Sequence, residues 1–294
     1  MNQTYKHSGK FTPIGILAGV ITGLVAGSLL AYIYAWGTIK IDDQKMAVLA
    51  TLAYGAAIGL AAGYGMKLGK VRNSKVGIAV ASVLAAGSLY ISWAFWVENI
   101  IVRSQQDDVN PYALMTHPQV LWDLIKTINQ YGTWGLSEGD VTKGAVLWAI
   151  WALEAVAILY AAGVAAYLLL EMQPFCEKCQ FWCSSNEKLC LSAGDPIFIR
   201  RSLAKRDLAF LEKLGPGDKR TNYITAQLHS CPSCGDLNTL TLTQTAVIRS
   251  QKWYQRTSMR RTELVKKFLL SRPEADAFRN TAHNVKQVAK AAKA

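Results

Sequence analysis

Four long apolar stretches, Pro13 to Trp36, Met46 to Met66, Val76 to Val97 and Ala145 to Leu170, come before Pro174, and a charged, cysteine-bearing sequence comes after it. A helix needs roughly 20 apolar residues to cross the hydrocarbon core of a bilayer, and each stretch is long enough. The chain is therefore expected to fold as an α-helical membrane bundle of four spans, residues 1–173, followed by a water-exposed domain. The first stretch is longer than the apolar core of a cleavable leader and lacks a small-residue cleavage site before polar sequence. It is expected to remain as a span.

Short loops carry the orientation. Lys67, Lys70, Arg72 and Lys75 put four cations and no acid between the second and third stretches, which predicts a cytoplasmic loop. The first connection is balanced and the long one, Glu98 to Lys143, is acidic; both are expected outside. Lys6 and Lys10 then place the N-terminus inside, and four spans return the C-terminal domain to the same side. Tyr32, Tyr34 and Trp36, with Tyr90, Trp93, Trp96, Trp148 and Trp151, fall at the outer span ends as an interfacial belt.

Within the long outer loop, Thr116-His117-Pro118-Gln119 precedes Val120, Leu121, Leu124, Ile125 and Ile128 at helical spacing, and Gly132 follows. A capping box from Thr116 and Gln119, a first-turn Pro118 and a glycine stop predict an amphipathic helix over 116–131. It is expected to lie on the membrane surface or to cap the bundle. His117 stands without a second His or Cys in any outer loop, so it reads as a loop histidine.

Gly15, Gly19, Gly23 and Gly27 recur every four residues in the first span, and Gly55, Gly59 and Gly63 do so in the second. Each set marks one helix stripe. Lipid tails provide no hydrophobic drive for helix association, so small residues that permit close backbone approach are expected to pack these helices, the first against the second. Glu154 is the ionisable acid deep within a span, roughly 14 Å along its helix from Ala145 at ~1.5 Å per residue. A carboxylate there is costly and should face the bundle or a wet cavity. The expected partners are neutral donors such as Ser28, Thr51, Tyr54, Ser82 or Ser88, another subunit, or a transported cation.

Beyond Pro174, Phe175-Cys176-Glu177-Lys178-Cys179 and Ser230-Cys231-Pro232-Ser233-Cys234-Gly235 each hold two cysteines two residues apart. Such a pair can bind one ion from a single tight turn, and two pairs complete a tetrahedral four-sulfur shell. The stretch from Pro174 to Gln251 resembles a zinc ribbon. The resemblance implies a structural zinc ion on Cys176, Cys179, Cys231 and Cys234 within a small α+β domain, 174–250, and a platform rather than a particular chemistry. Two departures stand out: Gln180 sits where glycine is common, and Cys179 and Cys231 are far apart. The intervening residues predict one helical insert, opened by Asp195-Pro196, carrying Leu203, Leu208, Leu211 and Leu214, and stopped by Gly215-Pro216-Gly217. Alternation in Ile224, Ala226 and Leu228 and in Leu240, Leu242, Ala246 and Ile248 predicts a hairpin with the metal at its tip. A disulfide framework is the alternative, disfavoured on a reducing cytoplasmic side. Cys183 and Cys190 are left over and read first as buried thiols, the alternatives being replacement ligands or, with His229, part of a second site.

Of the 32 Lys and Arg residues, 21 follow Leu170, against 11 of the 20 acids. The segment 251–294 reads as a basic helical tail, fraying at its end. Arg249, Lys252, Arg256, Arg260, Arg261, Lys266 and Lys267 form its basic surface around Trp253 and Tyr254. Anionic lipid headgroups, nucleic acid or an acidic protein could meet it. With no paired carboxylates, nucleophile motif or phosphate loop, the leading expectation is a membrane-anchored interaction protein, as a homo-oligomer or part of a larger membrane complex. A small transporter or channel subunit using Glu154, and an anchored nucleic-acid-binding protein, are the alternatives.

Overall fold

A computed structural model describes residues 4–41, 43–103, 109–133, 141–248 and 258–291, with only the backbone of 186 and 289–291. The chain divides into two compact units, Ser8–Met172 and Met1–His7 with Gln173–Ala294.

In the first unit α1 (Pro13–Thr38), α2 (Gln44–Leu68), α3 (Ser74–Arg103) and α6 (Ala145–Glu171) are four helices long and apolar enough to cross a membrane. Three of the four starts are capped by side chains: the Thr12 hydroxyl accepts from the Gly15 N–H, Asp43 from Lys45 and Met46, and Asn73 from Lys75 and Val76, whereas α6 starts after Gly144 without such a bond. Helices α1 and α6 each pack against both α2 and α3. Small residues set where the helices meet. A methyl group added to Gly19 would strike Met66 and Ala62 of α2, whereas one on Gly27 would strike Ser88 of α3. Gly55, Gly59 and Gly63 do not face α1. Their added Cβ atoms would meet Ile158, Ala162 and Ala166 of α6, so the second glycine stripe packs on the fourth span. Gly65 and Gly69 take its place against α1, where Gly69 lies on Gly15.

Helices α4 (Pro111–Thr116) and α5 (Pro118–Tyr131) close one end of the bundle, with Leu114, Leu121 and Ile125 buried among Ala94, Val97, Leu147 and Trp151. Pro118 opens α5 and Gly132 ends it with φ 84°. The capping box does not form: the N-cap of α5 is His117, whose side chain makes no capping bond, and the Thr116 hydroxyl bonds back to the Ala113 carbonyl instead. Thr116 is the last residue of α4, so its side chain is spent on the preceding turn.

The second unit centres on a four-stranded antiparallel sheet, in the order β3 (Ser184–Ser192), β4 (Tyr223–Ser230), β5 (Asn238–Ile248) and β6 (Ser258–Leu270). The alternating residues Ile224, Ala226, Leu228, Leu240 and Leu242 face one core with Leu189, Leu191, Leu264 and Phe268. Ala246 lies half-buried and Ile248 exposed beyond it. Three helices cover this face: α7 (Pro196–Ala204), α8 (Phe210–Leu214) and α9 (Arg272–Ala291). The insert is thus two short helices, broken where Arg206 takes φ 60°.

The expected basic helical tail is present only in part: Arg272–Ala291 is a helix, but it is packed rather than free, and Ser258–Leu270 is a strand. These segments supply the strand β6 and a helix burying Ala275, Phe278, Ala282 and Val285. The outer edge of β6 meets the chain's start: Thr4 bridges Phe268, and the Tyr5 N–H donates to the Lys267 carbonyl at 2.8 Å.

Candidate functional site

The two cysteine pairs meet. Cys176 ends β1 (Phe175–Cys176), which pairs with β2 (Phe181–Trp182), and Cys179 lies in the turn between them. Cys231 and Cys234 lie in the turn joining β4 to β5, so the expected hairpin carries its thiols at the tip. The four Sγ atoms all lie within 4.8 Å of one another. Four sulfurs around a zinc ion at ~2.3 Å stand roughly 3.8 Å apart, and Cys176 and Cys234 are separated by 3.8 Å. The arrangement fits a tetrahedral thiolate site, and all six cysteines are free.

The knuckles share one backbone plan. In the first, the Gln180 N–H donates to the Cys176 carbonyl at 2.8 Å; in the second, the Gly235 N–H donates to Cys231 at 3.1 Å. Gln180 and Gly235 both take left-handed φ, 59° and 67°. The missing glycine of the first knuckle is therefore a residue in a glycine conformation. Lys178 and Asp236, both exposed, pair across the knuckles at 3.0 Å.

The surroundings treat the thiols differently. The Asp236 N–H, 3.4 Å from Cys234 Sγ, helps pull that thiol down to about 7, with Cys179 contributing next. Burial pushes Cys176 up to about 12. A cation held among them would supply the compensation that burial removes. Cys183 is buried against the cluster and raised to about 12, chiefly by burial. Cys190 is half-buried with its Sγ 3.6 Å from the Gly217 carbonyl. Neither belongs to the four.

Of the basic surface, Arg260, Arg261 and Lys266 are exposed on β6. Lys267 is buried, its Nζ 3.4 Å from His7 Nε2 and 5.7 Å over the Tyr5 ring. A β-bulge between Leu240 and Leu242 pairs turns it inward. Arg249, Lys252, Arg256, Trp253 and Tyr254 lie outside the described residues.

Glu154 is bonded within the bundle, by a donor the sequence assigned to the membrane interface. The Tyr34 hydroxyl donates to Glu154 Oε1 and lies 2.9 Å from the Thr51 hydroxyl. Tyr34 stacks on Tyr54 with centroids 4.3 Å apart, and Tyr54 reaches Ser88 at 2.6 Å. Ser88 in turn donates to the Gly27 carbonyl. Thr51, Tyr54 and Ser88 thus belong to the network, with Tyr34 as the contact to the carboxylate. Position in the span could have flagged Tyr34, four residues from the end of α1 and able to point either way. Trp151 is also buried, whereas Tyr32 and Trp36 are exposed.

Compared with known proteins, the chain matches no family model, no curated protein and no solved structure.

Proposed function

We propose that this chain is a membrane-anchored scaffold whose extramembrane domain is a zinc ribbon on the cytoplasmic side. The observation that carries the reading is the four-sulfur cluster, with spacing that suits one zinc ion. A closed thiolate shell leaves no open position for water, so the ion's role is structural. When bound, it ties the Cys176–Cys179 turn to the β4–β5 tip.

The surface offered is basic. Exposed Arg260, Arg261 and Lys266 sit on β6, and a basic side chain near an anionic membrane contributes about 1 kcal/mol. Anionic headgroups are the partner this reading favours, because the spans hold the domain within reach of a bilayer. The cationic loop Lys67 to Lys75 supports the same side for the domain.

Full-length protein in nanodiscs tests this. We expect one zinc ion per chain by elemental analysis. We also expect amide exchange in Ser258–Leu270 to slow when phosphatidylserine replaces part of a neutral lipid, with the effect lost in 0.5 M salt and in the Arg260→Glu, Arg261→Glu, Lys266→Glu triple variant. Exchange indifferent to lipid charge overturns the lipid partner, and slowing by RNA in neutral nanodiscs redirects it to nucleic acid.

A further inference from the structure

The bundle contains a cavity of about 970 Å³ that the scaffold reading does not use. It reaches from the bundle end at Thr38, Gln44 and Thr133 inward to Tyr34, Thr51 and Glu154. All four long helices contribute to it. Toward the other end it gives way to tight packing, where Ile58, Ala62, Ile158 and Ala162 are fully buried and Gly59 lies against Ala162.

Its chemistry is asymmetric. Among the described residues the one acid lining it is Glu154, and Tyr34 donates to Oε1, leaving Oε2 without a donor among them. Trp93, Trp96 and Trp151 line the wall, Trp93 and Trp151 in an edge-to-face pair 4.9 Å apart. The Thr133 hydroxyl oxygen at the cavity is buried with no partner among the described residues. Arg103 lies at the rim and is exposed, where water and salt screen its charge.

We propose that this cavity binds a hydrophobic organic cation, an amine or quaternary ammonium with an apolar body, with Glu154 as its counter-charge. A bare metal ion fits poorly. Calcium or magnesium takes six or more oxygens, whereas this cavity offers one carboxylate and scattered hydroxyls between indoles. The volume is that of a site for a drug-sized molecule, roughly 300–1,000 Å³. Indole faces attract organic cations, and a carboxylate in low dielectric gains most from an opposite charge that is itself poorly hydrated. The inference concerns the bundle alone and stands apart from the zinc domain.

Tetraphenylphosphonium is the probe, by equilibrium dialysis against the purified full-length protein in detergent. We expect saturable binding of one cation per chain, weakened roughly thirtyfold or more by Glu154→Gln, in line with loss of one partner of a buried charge pair. Tetraphenylborate, of the same shape and opposite charge, should not compete. A hydrophobic carbodiimide that labels Glu154 in the wild-type protein provides a second reading free of folding effects: tetraphenylphosphonium should slow the labelling, whereas sodium, potassium or calcium should not. Absence of saturable binding, equal affinity in a monodisperse Glu154→Gln variant, competition by tetraphenylborate, or protection by the inorganic cations alone overturns the proposal. If Glu154→Gln aggregates, the carbodiimide result decides.

Discussion

Gln180 and Gly235 hold the same place in the two knuckles, each four residues after its first cysteine and each with a left-handed backbone, φ 59° and 67°. A side chain in that region costs roughly 1–2 kcal/mol, while glycine is free of the clash but loses more freedom on folding, about 0.5–1 kcal/mol. Gln180→Gly should therefore stabilise the first knuckle by about 0.5–1 kcal/mol despite loss of the exposed Gln180 bond to the Glu177 carbonyl. Gly235→Gln should do the reverse. Exchange rates of the Phe175–Trp182 amides check the first variant and those of the 231–237 turn the second, and a destabilised Gln180→Gly protein would show that its amide holds the turn.

Metal removal should act locally. The cysteines form their own small cluster, while the sheet and α7, α8 and α9 share a separate core that includes Phe210, Phe268 and Phe278. Chelation, or Cys231→Ser, is expected to abolish metal binding and raise exchange in β1, β2 and the 231–237 turn. Far-UV dichroism should change little. Cooperative loss of the β3–β6 sheet on chelation would mean that the metal supports the entire domain.

Gly59 sits at a close helix crossing: a Cβ there would lie 2.1 Å from the Ala162 carbonyl oxygen. Backbone cannot yield as a side chain does, so Gly59→Ala should separate α2 from α6 and cost about 1–3 kcal/mol, the usual range for overpacking. Gly37→Ala faces open space and should be neutral or slightly stabilising, since alanine favours a helix over glycine by up to ~1 kcal/mol. Thermal aggregation in detergent compares them, and equal midpoints would remove the steric argument.

The four helices were legible because twenty apolar residues have few other uses, and the cysteine turns because two-residue spacing is itself geometry. Helix partners were not. A four-residue period shows that Gly55, Gly59 and Gly63 share a stripe, but α1 and α6 present similar small residues, and only the folded bundle selects Ala162 over the first span. The strand β6 was hidden for another reason. Charges interrupt it and the bulge near Lys267 breaks its alternation, so Leu264, Phe268 and Leu270 do not announce a common face. Tyr34 was misplaced because a tyrosine near a span end suits the interface as well as a buried acid.

The Tyr34–Glu154 bond should couple the first and fourth spans measurably. Interhelical hydrogen bonds in membranes average about 0.6 kcal/mol and reach ~1.7. A double-mutant cycle of Tyr34→Phe and Glu154→Gln in detergent unfolding is expected to give a coupling in that range, with Glu154→Gln alone folding nearly as well as the parent. Glu154→Leu should lower folded yield, because it leaves the Tyr34 hydroxyl without its acceptor. Strict additivity of the pair, or equal yields for Gln and Leu, would show that the bond holds nothing together.

Tyr5 ties the start of the chain to the first knuckle. Its hydroxyl donates to the Phe175 carbonyl and accepts from the Phe175 N–H, both at 3.0 Å, while its own N–H joins β6. Phe175 is fully buried, so a partner lost there is not readily replaced by water. Removing one member of a buried pair costs about 1–3 kcal/mol, and Tyr5→Phe deletes a donor and an acceptor at once. The loss should appear as faster exchange at Phe175 and Cys176 and weaker zinc retention against a chelator, with the β4–β5 hairpin unaffected. Tyr5→Phe protein that holds zinc as tightly as the parent would show that the N-terminal segment only covers the sheet edge and does not set the knuckle.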